Sequence, residues 1–159
     1  MTNPVITPTG FPELFTFTLL NQLTAHVPSA LNFTTRPVRP NDPNRTVAVV
    51  EGDAEPFEYE IAARQEPSML TWDAAIQVYV KASNEIDGRN ARRTLMQECR
   101  KALFLPTTVT ALMTLSDTVE RASSFRMRRL EFVPAEARDA GKQFHFLGQI
   151  ALTFKTEHL

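Results

Sequence analysis

The side chains able to do chemistry in this sequence are three histidines, one cysteine and an Asp87-Gly88-Arg89 turn that opens an arginine-rich segment. His26, His145 and His158 stand far apart, and none lies at ligand spacing from another histidine or from Cys99, so the pattern builds no metal centre. Cys99 falls on the apolar stripe of the segment that follows residue 87, where a cysteine acts as a small hydrophobe. A reactive thiolate needs a neighbouring base and access to solvent. A phosphate cradle at 87–89 would require several glycines with converging backbone N–H groups, and usually a Lys followed by Ser or Thr. One glycine is present, and Asp87 itself fills the place an anion would take. The expected role is structural, with Asp87 as helix N-cap and Gly88 easing the bend. No acid, base and nucleophile converge, so the expectation is a protein that is not an enzyme and uses no cofactor or metal.

The arginines call for another account. Residues 1–80 carry a net charge of −5 and residues 81–159 a net charge of +4, within a total of −1. Glu51, Asp53, Glu55, Glu58 and Glu60 form an acidic stretch, and Arg89, Arg92, Arg93, Arg126, Arg128 and Arg129 answer it in the second half. Unlike surfaces on one subunit allow head-to-tail association, which closes into a ring or propagates as a filament. The candidate interface residues are therefore Glu55, Glu58 and Glu60 with Arg89, Arg92, Arg93, Arg126, Arg128 and Arg129. In a regular strand Arg126 and Arg128 would share one face and Arg129 the other, which is not a one-faced basic strip. Interleaved aromatics and a Gly-Phe-rich RNA-binding segment are also missing, so sequence-specific nucleic acid is not an expected partner.

Elements must position these groups. The chain has 159 residues, 43% of them apolar, enough for one domain with a sizeable core. Lys and Arg number 17 against 18 acids, the one cysteine suits a reducing cytoplasm, and no apolar run of about 20 residues suggests a membrane span. On that reading the Asn-x-Thr sequons at Asn32 and Asn44 are chance matches. Residues 1–10 read as an arm that needs a partner surface, and 11–159 as a single α+β domain. Apolar residues from Phe11 to Val27 fall at helical spacing and predict an amphipathic helix from Pro12 to about His26, with Pro12 in its first turn. Prolines 28, 37, 40 and 43 predict a long loop over 28–45, mobile until assembly.

Strands are expected at 46–52, ended by a Gly-Asp turn, at 57–61, and at 71–81, where Trp72, Ala74, Ile76, Val78 and Val80 share one face. A helix is expected from Asp87 to about Phe104, with Arg89, Arg92, Arg93 and Arg100 mostly outward. Residues 107–124 fit either a short helix or a loop. Two strands, 125–133 and 142–156, close the chain as a hairpin. The fold class is α+β, mainly antiparallel sheet with two principal helices on one face.

This order, with its "VAVVEG" and "WDAAIQVYVKA" strands, arginine-rich helix and closing "QFHFLGQIALTFKT", resembles the tail-terminator (tail-completion) proteins of long-tailed bacteriophages from Phe11 onward. The resemblance is one of pattern, size and element order. It implies a structural virion assembly protein of the tail or neck, assembled in the host cytoplasm. Its copies would form a ring, a hexamer in that family, that caps the tail tube and joins it to the head connector. The implied partners are the protein itself, the tail tube protein and the head-tail connector protein, with no membrane. The alternatives are a small nucleic-acid-binding module of ferredoxin-like type, or another virion protein such as a head-completion or tail-tube protein.

Overall fold

Alternating apolar residues meet across a long central ladder. In the computed structural model, which describes residues 10–56, 69–138 and 141–158, β3 (Met69–Ala82) and β6 (Gln143–His158) pair antiparallel from Met69 opposite Glu157 to Ala82 opposite Phe144. The pleat puts Trp72, Ala74, Ile76, Val78 and Val80 on one face beside Phe154, Leu152, Ile150, Gly148 and Phe146. β2 (Thr46–Pro56) extends the sheet beyond β3, and β1 (Asn32–Thr34) adds to β2 in parallel. On the other side β6 pairs with β4 (Glu120–Phe132) and, further along, with β5 (Glu136–Arg138). The sheet order is β1-β2-β3-β6-β4, all antiparallel apart from the β1–β2 pair.

Three helices bury their apolar sides on that face, so the α+β class holds. α1 (Phe11–His26) starts with a proline in its first turn and buries Phe11, Phe15, Leu19 and Leu23. Phe15 stacks on Phe154 with ring centroids 3.9 Å apart. α2 (Glu85–Leu103) buries Leu95, Met96, Cys99, Ala102 and Leu103, and α3 (Pro106–Met113) contributes Leu112 to the same core. Of the two readings open for 107–124, the short helix is the one formed, and β4 then begins at Glu120, earlier than expected.

Several expectations are corrected. The N-cap of α2 is Asn84, whose Oδ1 accepts from the Asp87 N–H at 3.0 Å; Asp87 lies inside the first turn. Gly88 does not ease a bend. It lets the helix close onto the sheet, since a Cβ there would sit 2.0 Å from the Phe146 ring. β2 does not end at Gly52. Its register with β3 shifts between Glu51 and Ala54, a bulge, and a Cβ at Gly52 would meet Asp73 Cβ at 2.8 Å. The strand expected at 57–61 and the arm at 1–9 lie outside the described residues.

The proline loop is hydrogen-bonded to the sheet. Val38 N–H donates to Gln77 Oε1 (3.0 Å), the Tyr79 hydroxyl to the Pro40 carbonyl (2.7 Å), and Lys81 N–H to Asn44 Oδ1 (2.8 Å). It thereby covers part of the sheet face that the helices leave open, and Thr46, Ala48 and Tyr79 are buried beneath it. The loop is stiffened by a pair between Arg36 and the buried Asp42, whose carboxylate also accepts from Arg39 N–H at 2.6 Å.

Two outcomes follow for stability. Gly88→Ala should lower it by about 1–3 kcal/mol in denaturant unfolding, because overpacking outweighs the roughly 1 kcal/mol that alanine gains in a helix; Phe146→Leu in the same chain should recover part of the loss, and an unchanged midpoint for Gly88→Ala would contradict the close packing. Asp42 is held below the ordinary carboxylate range, first by the Arg36 hydrogen bond. A depressed acid stabilises fully above its unfolded value of 3.8 and loses that contribution as pH falls through the lower folded value. Acid titration of unfolding should therefore show a loss below about pH 4 that is smaller in Asp42→Asn.

Candidate functional site

The groups that first suggested chemistry are occupied structurally. Cys99 is fully buried, and burial, with Glu98 adding to it, pushes its thiol up to about 12, far from a thiolate. His145 turns Nδ1 to the Tyr79 hydroxyl at 2.5 Å, and Nε2 lies 3.3 Å from Gln143 Oε1. Burial also raises Tyr79 to about 12, so its phenol stays protonated and bridges loop and sheet. His26 is exposed at the end of α1. Among the described residues no cluster of His, Cys, Asp and Glu has the arrangement of a metal site, and no helix is long and apolar enough to cross a membrane.

The nine interface candidates are distributed unevenly. Glu58 and Glu60 lie outside the described residues, and Glu55 stands in β2 opposite Thr71. Arg89 and Arg93 are exposed on α2. Arg92, expected outward, is buried at 7% exposure and is unavailable to a partner. Its Nη1 donates to the carbonyls of Val133 (2.5 Å) and Leu147 (2.8 Å), and its guanidinium lies 5.2 Å from the Phe132 ring and 5.5 Å from that of Phe146. Burial lowers its pKa, with the Arg89 charge second. The signal was present in the spacing: Gly88, Arg92, Leu95, Cys99 and Ala102 follow one helical stripe, all buried. A long side chain with a charged head can sit on such a stripe when carbonyls receive it.

The arginines of β4 are also rearranged. The β4–β6 register shifts between Met127 and Arg129, so Arg128 is a bulge residue. Arg126 faces Thr153 and Arg129 faces Ala151, positions that share one side of β6, while Arg128 reaches Asp73 on that same side at 3.3 Å. All three arginines therefore emerge from the face away from the helices. The period-2 reading failed there because one extra residue inverts every later side chain.

On the helix side of β4 stand Phe125, Met127, Leu130 and Phe132, opposite Phe154, Leu152, Ile150 and Gly148. Phe104 and Phe132 are each half exposed, and Phe104 stacks on Phe125 at 6.3 Å. A cleft of about 230 Å³ opens here between α2 and β4, lined by Arg93, Met96, Gln97, Arg100, Leu130 and Phe132. This groove was not expected from the sequence, although the alternation of β4 carried it. The border of the sheet is thus basic from both sides and apolar between. Of the ion pairs formed, Arg128 with Asp73 joins the acidic and basic halves of the chain, whereas Arg121–Glu157, Arg129–Glu131 and Arg138–Glu136 stay within the basic half.

No protein-family model matches this chain, and no curated protein matches it. Among solved structures, a chain of the virion of a native gene transfer agent particle is similar over 87% of this chain and 91% of that one, at 15% identity and a TM-score of 0.39. A likeness of that degree carries nothing over to this chain's role.

The arginines should separate by function. Arg92→Ala leaves two carbonyls without their donor and should cost about 2–4 kcal/mol in denaturant unfolding. Arg89→Ala and Arg93→Ala, on the exposed surface, should stay within about 0.5 kcal/mol. Equal effects at all three positions would contradict this division.

Proposed function

We propose that this protein is a structural subunit of a virion, acting without catalysis, whose copies join head to tail in a ring that terminates the tail tube and presents a surface to the head connector. The single observation that carries the reading is a sheet with unlike borders. The β4 border is flanked by Arg93 and Arg100 on the helix side and by Arg126, Arg128 and Arg129 on the other. β2, toward the opposite side of the sheet, bears the exposed Glu51, and Asp53, Glu55, Glu58 and Glu60 follow it in the sequence. Such a subunit matches its neighbour by translation or rotation and repels its own mirror arrangement.

The resemblance in element order to the tail terminators supports the terminator role in particular. The helix, the 46–56 strand, the 69–82 strand, the arginine helix and the closing strands all form in that order. Capping needs no reaction: a ring seated on the tube end covers the growing interface, and no further tube subunit adds.

One observation favours a second reading. The bulge gives β4 a one-faced strip of arginines, as a nucleic-acid surface would have. Yet Arg128 and Arg129 are paired with carboxylates, and the aromatics of β4, Phe125 and Phe132, lie on the other face, away from any base stacked on the strip.

Particles assembled without this chain should carry tubes of uncontrolled length that are not joined to heads. Tails of regular length on filled heads in its absence would refute the terminator role. Binding to single-stranded nucleic acid that weakens steeply with salt would instead favour the second reading.

A further inference from the structure

The outer border of β4 is an unfinished edge. Its first residues are taken, since Ser116 bridges Arg121 and the Ala122 N–H donates to the Leu115 carbonyl at 2.8 Å. From 123 to 132 no backbone of the described residues pairs with that outer side; β4 pairs inward with β6 alone. This open edge, interrupted only by the bulge residues Ser123 and Arg128, can receive another strand. The side chains specify what kind. Toward the helices the edge offers Phe125, Met127, Leu130 and Phe132 and the cleft lined by Met96, and toward the other face it offers Arg126 together with Arg128 and Arg129, which already pair with Asp73 and Glu131 of this chain. Two such edges cannot pair with each other, because their arginines would meet across the ladder. The matching strand must be apolar at alternate positions and acidic between them.

Residues 57–61 read Phe-Glu-Tyr-Glu-Ile, with three apolar side chains at odd positions and two carboxylates at even ones. We propose that this segment of a second copy adds as a strand to the free edge of β4. Phe57, Tyr59 and Ile61 then cover the apolar side and its cleft, and Glu58 and Glu60 meet the arginine strip. The proposal rests on the head-to-tail assembly inferred above and names its contact.

The segment of the same chain cannot serve. Pro56, Leu70, Thr156 and Ala122 form one rung across the sheet. With strands about 4.8 Å apart, a strand outside β4 lies about 19 Å from Pro56. An extended chain advances about 3.5 Å per residue, so Phe57 reaches about 3.5 Å and Ile61 about 17 Å. None of the five residues arrives at its own β4 edge. A neighbour's do, and each subunit then gives one strand and receives one.

A charge exchange tests the contact in the full-length protein. One variant carries Glu58→Arg with Glu60→Arg, the other Arg126→Glu with Arg129→Glu, and native mass is measured for each alone and for an equal mixture. Each alone should fall to the mass of a single chain while keeping the circular dichroism spectrum of the folded parent, with a midpoint lowered only by the stabilisation that association adds. The mixture should regain the parent's mass, because each segment then finds an edge of opposite sign. As a second measurement, Tyr59→Cys in one copy and Leu130→Cys in another, both with Cys99→Ser, should form a disulfide-linked dimer on mixing. A parent protein that oligomerises with a mass indifferent to these charges would overturn the strand contact and leave head-to-tail assembly standing. A parent that remains a single chain at every concentration would overturn both. A disulfide formed within one chain carrying both cysteines, and not between copies, would also overturn the contact.

Discussion

The ladder between β3 and β6 is the constraint on which the rest depends. Its fourteen facing pairs align Trp72, Ala74, Ile76, Val78 and Val80 with Phe154, Leu152, Ile150 and Phe146 on one face, and that face receives all three helices. Trp72, Phe154 and Phe15 stack in sequence through it, with Trp72 and Phe154 centroids 6.2 Å apart and Phe154 and Phe15 centroids 3.9 Å apart. A register slip of one residue would send that aromatic column to the opposite face. Glycine at 88 and 148 sets how near α2 comes: a Cβ at Gly88 would strike Phe146, and one at Gly148 would lie 2.8 Å from Met96 Sδ. The core is therefore defined by where large rings and absent side chains coincide.

The second face is handled differently. A sheet with helices on one side only must still satisfy its other side, and here the proline-bearing loop does part of that work. Prolines keep the loop from forming helix or central strand, and the backbone groups that remain find side chains of the sheet, Gln77 and Tyr79 among them. The covered area ends short of β4, and the uncovered remainder carries the arginines. Electrostatics then follows from coverage: where the loop lies, a tyrosine and a threonine are buried; where it stops, cations meet water.

Arg92 shows how one residue type divides between these roles. Arg89 and Arg93, its near neighbours, are exposed, whereas Arg92 faces the sheet and donates hydrogen bonds from Nη1 to two carbonyls at the junction of β4, β5 and β6. The guanidinium remains charged while its stem packs among apolar groups. It ties α2 to the end of the sheet that bears the open edge, so the geometry of the groove depends on a buried residue.

Periodicity alone determined a good deal. The helix from Phe11, the inner face of β3, the inward line of Leu95, Cys99 and Ala102, and the α+β class follow from which positions are apolar, since burial must respect 3.6 or 2 residues per repeat. The alternation at 57–61 is equally plain in sequence. What the tertiary structure decided are features that depend on contact between distant segments. Asn84, and not Asp87, caps α2. Gly52 begins a bulge in a strand that continues to Pro56, and the short β1 within the proline loop exists because β2 lies beside it. Above all, the bulge at Arg128 brings three arginines to one face. A bulge adds a residue without changing composition or local charge, and only the partner strand's register makes it visible.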